Sequence, residues 1–134
     1  MLTRRAFMSR SKLVERLREE GSRGWLIGEL DRLTSLIARR RDGRCVTCGG
    51  AQGLQCSHFY SRRHLSIRFD LRNCNAMCSA CNRRHNRNRR PYERYMRKKY
   101  GAAAVAELDW LRAGLEKVTD EELREMLLRY KAMA

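Results

Sequence analysis

The sequence predicts an α+β fold that is mostly helical, with a two-stranded hairpin and a short helix at its centre and amphipathic helices on either side. The central stretch, residues 45 to 86 of the 134-residue chain, contains all six cysteines and all three histidines. Two short runs of alternating residues inside this stretch, Leu54 to Phe59 and Asn73 to Met77, are typical of half-buried strands. Outside it, apolar residues recur at the 3.6-residue spacing of helices.

The segment before the centre divides into two parts. Residues 1 to 24 are basic and end in a glycine-containing break, so we assign them to an N-terminal arm or helix. From Trp25 to Arg41 the leucines and isoleucines follow helical spacing, which predicts an amphipathic helix packed on the centre. Because 134 residues are too few for two ordinary domains, we treat residues 25 to 134 as a single domain.

Residues 91 to 134, which follow the centre at residues 45 to 90, are predicted to be helical. Pro91 is tolerated in a first helical turn and therefore begins one helix. A second helix runs from Ala102 to Leu115, and a capping box at Thr119–Glu122 opens a third. We expect the last two helices to form an antiparallel hairpin packed on the helix that precedes the centre.

Four of the cysteines form two Cys-x-x-Cys pairs, Cys45/Cys48 and Cys78/Cys81. Each pair can place two thiolates on one tetrahedral ion. The chain has no apolar signal segment, so we expect it in the reducing cytoplasm, where such pairs bind metal more often than they form disulfides. The pairs predict one structural zinc site, and the lack of a run of about 18 apolar residues predicts no contact with a membrane.

The positive charge is concentrated around the centre. Residues 45 to 100 carry 13 Lys and Arg against 2 Asp and Glu, whereas residues 101 to 134 carry 5 against 7. A basic surface confined to one region is typical of proteins that neutralise phosphates. The charge therefore favours a nucleic acid as the partner.

The centre resembles the HNH, or ββα-metal, nucleases: a Cys-x-x-Cys pair, then His58, then Asn73, then a second Cys-x-x-Cys directly followed by Asn82. Over roughly residues 40 to 133 the chain resembles more closely the phage NinG/Rap recombination proteins, which are structure-specific endonucleases of Holliday junctions and D-loops. The segments that carry this resemblance are His58-Phe59-Tyr60-Ser61-Arg62, Arg68-Phe69-Asp70, Asn73, Cys78-Ser79-Ala80-Cys81-Asn82 and Thr119-Asp120-Glu121-Glu122-Leu123.

The resemblance implies a zinc-stapled ββα-metal core that hydrolyses phosphodiesters with a divalent ion. His58 would be the general base, because an imidazole is largely neutral near pH 7 and can take a proton from water. Asn73 would hold the hairpin and orient that imidazole through a hydrogen bond to its other ring nitrogen or to its backbone carbonyl. Asn82 corresponds to a ligand of the catalytic ion, and His85, one turn later, is a second candidate. Such a site predicts Mg²⁺ or Mn²⁺.

One position departs from the nuclease pattern. An acidic residue or a histidine that binds the metal often precedes the catalytic histidine, but here that position is Ser57. Asp70 is the only carboxylate between the two cysteine pairs and is the nearest acidic candidate for the catalytic ion. A salt bridge between Asp70 and Arg62, Arg63 or Arg68 explains this residue equally well.

Three residues of the centre are left over. Cys56 and Cys74 are assigned to small apolar strand positions, although Cys56, two residues before His58, could replace a zinc ligand. His64 has no assigned role.

We expect DNA, branched or duplex, to bind arginines of the loop after His58 and of the helix after Cys81. These arginines are Arg62, Arg63, Arg83, Arg84, Arg87 and Arg90. Resolution of a four-way junction needs two active sites, which a homodimer would supply, and other recombination proteins are further expected partners. The resemblance places the protein in the cytoplasm of a bacterial host as a phage product.

Two other functions compete with the nuclease. A zinc-stabilised DNA-binding module without catalysis would use His58, Asn73 and Asn82 as structural residues. Charge alone also allows an RNA-binding or RNA-cutting protein. Divalent-ion-dependent cleavage of DNA that is lost in His58→Ala would distinguish the nuclease from both.

Overall fold

The computed structural model describes residue 9, residues 21–114 and residues 117–134. The predicted N-terminal arm lies almost wholly outside these residues. The described elements are six helices and two strands: α1 Arg23–Asp42, β1 Leu54–His58, α2 Leu65–Arg68, β2 Cys74–Cys78, α3 Ser79–His85, α4 Arg90–Tyr100, α5 Ala102–Arg112 and α6 Asp120–Met133. The mostly helical α+β class with a small antiparallel sheet is therefore confirmed.

Helix α1 confirms the helix predicted from Trp25 to Arg41 and extends it at both ends. It begins after Ser22, whose side-chain oxygen accepts a hydrogen bond from Trp25 N at 3.2 Å. It ends at Gly43, where a φ of 67° favours glycine. Its buried face carries Leu26, Leu30, Leu33 and Ile37, as the helical spacing predicts.

Strands β1 and β2 pair antiparallel, with His58 opposite Cys74 and Cys56 opposite Ala76. The second strand begins one residue after Asn73, close to its predicted start. Helix α3 begins inside the second Cys-x-x-Cys pair, earlier than predicted, and Cys78 caps it. The hairpin and α3 together give the predicted order of two strands followed by a helix.

The boundaries of the C-terminal helices agree with the sequence in most respects. Pro91 lies in the first turn of α4, and Gly101, with a φ of 91°, separates α4 from α5. Helix α5 ends at Arg112, before the predicted end at Leu115, which lies outside the described residues. The capping box between Thr119 and Glu122 is present at the start of α6.

The predicted hairpin of the last two helices is wrong. The apolar residues of α5, Val105 and Leu108, pack in one cluster with Ile67 and with side chains of α4. Those of α6 pack in a second cluster with α1 and with Phe69, whose carbonyl accepts a hydrogen bond from Tyr130 Oη. Of these two helices, only α6 therefore packs on α1. The loop between the strands gives each helix a separate apolar partner, Ile67 for α5 and Phe69 for α6.

Helix α1 packs on both strands, and so does α3, so the hairpin lies between α1 and α3. In the part of the chain that the structure describes, no helix combines the length and the apolar character needed to cross a membrane.

Candidate functional site

The two predicted Cys-x-x-Cys pairs come together in the fold. Cys45 and Cys48 lie in the turn region after α1, Cys78 ends β2, and Cys81 lies in α3. Their four sulfur atoms lie within 4.8 Å of one another and could hold a metal ion such as zinc. We call these residues the four-cysteine cluster.

The spacing of the sulfur atoms fits a tetrahedral zinc ion. Two thiolates at about 2.3 Å from such an ion lie about 3.8 Å apart, and Cys48 Sγ lies 3.7 Å from Cys78 Sγ. Backbone N–H groups also point at these sulfurs: Gly50 N is 3.4 Å from Cys48 Sγ, and Cys81 N is 3.5 Å from Cys78 Sγ. Gly49, with a φ of 78°, allows the turn that brings the first N–H group into place.

Two of the four thiols, Cys45 and Cys81, have pKa values shifted in opposite directions. Burial raises the pKa of Cys45, but hydrogen bonds with Thr47 and with backbone N–H groups lower it by a larger amount, so the pKa falls to about 6. The pKa of Cys81 is lowered by a hydrogen bond with Thr47, but burial and the three neighbouring cysteines raise it more, to about 12. With its pKa raised this far, the Cys81 thiol stays protonated at neutral pH unless a cation lies among the sulfurs, and a zinc ion would supply that charge.

His58, the predicted general base, is half-buried at the end of β1. Its Nε2 lies 3.0 Å from the backbone carbonyl oxygen of Arg68. A carbonyl oxygen only accepts hydrogen bonds, so the neutral ring carries its hydrogen on Nε2 and its lone pair on Nδ1. The Arg68 carbonyl thus fixes the tautomer that the base needs.

The surroundings of His58 also favour the neutral ring. Burial is the largest effect and lowers the pKa of His58 below its ordinary value of 6.5, and the charges of Arg62 and Arg68 lower it too. The hydrogen bond with the Arg68 carbonyl and the charge of Asp31 oppose these effects. Because the net shift of the pKa is downward, the His58 ring is mostly neutral at neutral pH and its free nitrogen can accept a proton.

Asn73 does not make the predicted hydrogen bond to His58. Its side chain is fully buried, its Nδ2 donates to Tyr60 O at 3.0 Å, and its Oδ1 accepts from Tyr60 N at 2.9 Å. The Nδ2 also lies 3.4 Å from Ile67 O. Asn73 therefore holds closed the loop that presents the Arg68 carbonyl, and its effect on His58 is indirect.

A cleft of about 380 Å³ opens beside His58. It is lined by Cys56, His58, Phe59, Ser61, Arg62, Asn82, His85, Asn86 and Arg89. Of the predicted catalytic residues, the cleft therefore brings together His58, Asn82 and His85. A second cleft of about 350 Å³ shares Cys56, His58 and Arg62 and reaches α1 at Asp31.

Asn82 and Asn86 lie four residues apart at the end of α3 and line the same cleft. Asn82 Nδ2 donates to Gln55 Oε1 at 3.0 Å, which leaves the Asn82 side-chain oxygen as a ligand atom. Amide oxygens fit a hard ion that also binds water and a substrate phosphate. Asn86 was not among the predicted residues, although its i, i+4 spacing from Asn82 was a readable signal.

His85 is less available than its predicted role as a metal ligand requires. It is 8% exposed, and its Nε2 lies 3.0 Å from the carbonyl oxygen of Phe59. Only Nδ1, which is buried and has no hydrogen-bond partner among the described residues, retains a lone pair. Burial and Arg89 lower the pKa of His85, against the Phe59 hydrogen bond. Its ring also contacts Phe59 and Tyr92, so it supports the wall of the cleft.

Asp70 is not one of the residues that line the cleft. Arg72 binds both of its carboxylate oxygens, at 3.1 and 2.9 Å, so a salt bridge does occupy Asp70, but with a different arginine from those predicted. A carboxylate that does line the second cleft is Asp31 of α1, which no sequence pattern singled out. Asp31 forms ion pairs with Arg68 at 2.6 Å and Arg62 at 3.6 Å.

Cys56 and Cys74 lie beside His58. A hydrogen bond from Cys74 lowers the pKa of Cys56 more than burial raises it. The same contact, together with burial, raises the pKa of Cys74. One ring nitrogen of His58 and the two sulfur atoms lie within 4.8 Å of one another. The description of these cysteines as small apolar strand residues is therefore incomplete. His64 directly precedes α2 and makes no side-chain capping hydrogen bond.

The arginines predicted to bind DNA are all exposed, and Arg62 lines both clefts. Arg89, which was not predicted, lines the first cleft, and its guanidinium stacks on the rings of Phe59 and Tyr60. The sequence shows that Arg89 belongs to the basic run after α3, but it does not show that the Arg89 side chain points to the cleft. The exposed predicted arginines are Arg62, Arg63, Arg83, Arg84, Arg87 and Arg90.

Comparison with known protein families identifies the family of the chain. A family model described as "NinG: Bacteriophage Lambda NinG protein" matches residues 3–134 of the chain. Searches for similar curated proteins and for similar solved structures find no match. The family match covers nearly the whole chain and confirms the resemblance to the phage NinG family. The chain therefore belongs to the bacteriophage lambda NinG protein family.

Proposed function

We propose that this protein is a divalent-metal-dependent endonuclease of phage recombination that cuts branched DNA, including Holliday junctions and D-loops. The observation that carries the proposal is His58: a neutral imidazole, oriented by the Arg68 carbonyl, at a cleft whose walls carry amides and arginines. The preference for branched DNA is what the resemblance to the NinG/Rap proteins implies, and the family match supports that resemblance.

In this proposal His58 Nδ1 takes the proton of the attacking water, because Nε2 is committed to Arg68. Arg62 and Arg89 bind the phosphates on either side of the bond that is cut. The side-chain oxygens of Asn82 and Asn86 would hold Mg²⁺ or Mn²⁺, and such an ion would supply charge for the phosphate oxygens and the leaving group.

The four-cysteine cluster has a structural role in this proposal. It joins the turn at Cys45 to β2 and α3, which carry Cys78 and Cys81. Zinc in this cluster would fix α3 against the hairpin, so that Asn82 and His58 face the same cleft. The zinc itself takes no part in the chemical step.

Incubation of the protein with branched, duplex and single-stranded DNA, with and without Mg²⁺ or Mn²⁺, tests the proposal. We expect cleavage of branched DNA that requires the ion and is lost in His58→Ala, while that variant still binds the DNA. Absence of cleavage with every substrate and ion would contradict it. Preferential cutting of structured RNA would instead reassign the substrate.

A non-catalytic DNA-binding module is the second candidate, and one observation favours it. The only carboxylate that lines either of the two clefts beside His58, within the described residues, is Asp31, which already pairs with Arg68 and Arg62. Mg²⁺ sites usually contain one or two carboxylates. Binding of junction DNA without ion-dependent cleavage would support this candidate.

A further inference from the structure

We propose that Cys56, His58 and Cys74 form a second metal site, which takes a thiophilic divalent ion such as Zn²⁺ and is separate from the four-cysteine cluster. We further infer that an ion in this site blocks His58 as a base. The blocking role rests on the proposed nuclease function, whereas the existence of the site does not.

The hairpin register places the three side chains together. Cys56 and His58 are two residues apart on β1 and therefore project from the same face of the sheet. Cys74 stands directly opposite His58 on β2, diagonally across from Cys56. The three ligand atoms lie within 4.8 Å of one another, the same limit that the four-cysteine cluster meets.

The donor atoms select the kind of ion. Two sulfurs and one imidazole nitrogen suit zinc and other thiophilic ions, whereas Mg²⁺ and Mn²⁺ prefer oxygen ligands. His58 Nε2 donates to the Arg68 carbonyl at 3.0 Å. Metal-binding histidines commonly donate their second ring N–H to a carbonyl in this way, which orients the ring.

The site also has an open side. Cys56 and His58 line both clefts, of about 380 and 350 Å³, whereas Cys74 is buried behind them. Three protein ligands with a fourth position open to solvent are typical of reactive zinc sites, while structural sites such as a four-cysteine cluster are closed. A small ion can therefore reach the three ligands through the cleft.

An ion bound here would conflict with the base. Once the His58 lone pair is donated to a metal, it cannot accept a proton from water. Zinc would then inhibit cleavage even in the presence of Mg²⁺ or Mn²⁺, because it competes for the imidazole and not for the amide oxygens of Asn82 and Asn86. The same residues would thus make the enzyme sensitive to free zinc.

Metal binding is tested first, without reference to activity. The full chain, with zinc already in the four-cysteine cluster, is titrated with Zn²⁺ or Cd²⁺ in a non-thiol reductant that keeps the cysteines reduced. Native mass spectrometry counts the bound ions, and thiolate-to-cadmium absorption reports sulfur ligands. The variants are Cys56→Ala and Cys74→Ala.

Ser57→Ala is the matched control. Ser57 lies between Cys56 and His58 in sequence but on the opposite face of β1, and its buried hydroxyl has no hydrogen-bond partner among the described residues. We expect wild type and Ser57→Ala to bind one ion in addition to the ion in the four-cysteine cluster, with new thiolate-to-metal absorption. Both cysteine variants should fail to bind this additional ion. If Cys74→Ala fails to fold, the half-buried Cys56 position still decides the result.

The site is overturned if wild type takes up no additional ion, or if Cys56→Ala binds it as tightly as wild type. The blocking role is tested separately by cleavage at increasing Zn²⁺, with each protein normalised to its own zinc-free rate. Loss of one ligand should raise the inhibitory zinc concentration by at least about tenfold, since even residues that only orient ligands change affinity by about 10- to 100-fold. Equal inhibition of wild type and Cys56→Ala by zinc would overturn the blocking role. Absence of cleavage by wild type would instead overturn the proposed nuclease function, and the number of bound ions would still test the metal site.

Discussion

The side chain of Asn73 and the backbone of Tyr60 form two reciprocal hydrogen bonds: Tyr60 N donates to Asn73 Oδ1 at 2.9 Å, and Asn73 Nδ2 donates to Tyr60 O at 3.0 Å. The pair closes the loop between β1 and β2, and Asn73 is 0% exposed. The same loop carries Arg68, whose carbonyl holds His58. The position of the proposed base therefore depends on a residue that does not touch it.

Asn73→Ala should destabilise the protein by about 2–4 kcal/mol, because the partly buried backbone N–H and carbonyl of Tyr60 would lose their hydrogen-bond partners. Urea unfolding measures this change. Asn88→Ala is a control, since Asn88 is exposed and accepts only one hydrogen bond, from Arg90 N; we expect less than about 1 kcal/mol. Unchanged stability together with complete loss of cleavage would instead indicate a direct catalytic role for Asn73.

The rate of cleavage should depend on the protonation of His58. Burial lowers the pKa of His58 below 6.5, so the neutral ring predominates above that lowered pKa. Cleavage should be constant at neutral pH and should fall as the pH drops through the lowered pKa, by about tenfold per pH unit. Single-turnover rates against pH measure the midpoint, and a midpoint above 6.5 would contradict the burial argument.

The same shift affects stability. Below pH 6.5 the unfolded chain begins to protonate His58 and His85, whereas the folded protein, in which both pKa values are lowered, resists protonation. Folding should therefore lose stability as the pH falls from 6.5 through the lowered values. Circular dichroism at each pH separates this unfolding from the loss of catalysis.

His58→Ala should lose about 10²- to 10⁴-fold in cleavage, the usual contribution of general-base catalysis. DNA binding should change little, because the exposed arginines remain. His64→Ala is the matched control, since His64 is half-buried in the neighbouring loop and does not line either cleft beside His58. Comparable losses in both variants would show that the effect is not specific to the proposed base.

Removal of zinc from the four-cysteine cluster should unfold the centre, because metal-binding energy is folding energy in small sites of this kind. The double variant Cys45→Ser/Cys78→Ser should contain no zinc in the cluster and should lose helical signal in far-UV circular dichroism. Elemental analysis of purified wild type provides the comparison. A fully active wild type without zinc would contradict the structural role.

Substitution of Arg84 or Arg87 by alanine should weaken DNA binding for every sequence. Each phosphate contact that is lost should reduce the slope of log binding constant against log salt by roughly 0.9 on duplex DNA. Arg124→Ala, on the acidic helix α6, is the control, because Arg124 pairs with Glu121. An equal change in slope for Arg124→Ala would show that binding is not confined to the basic centre.

Local patterns in the sequence determined most of the elements. Helical spacing predicted α1, the capping residues Thr119 and Glu122 predicted the start of α6, and alternating residues predicted the two strands. The cysteine spacing also predicted the four-cysteine cluster. These features depend on residues close together in the chain, whose interactions local chemistry describes well.

Tertiary structure decided the contacts between distant segments. Asp31 reaches the site from α1, the α5 and α6 helices pack in different clusters, and Arg68 rather than Asn73 holds His58. A sequence period specifies which face of an element is apolar but not which partner covers it. The direction of a side chain such as Cys74 likewise depends on strand register, and pairing of the two strands fixes that register only when the chain has folded.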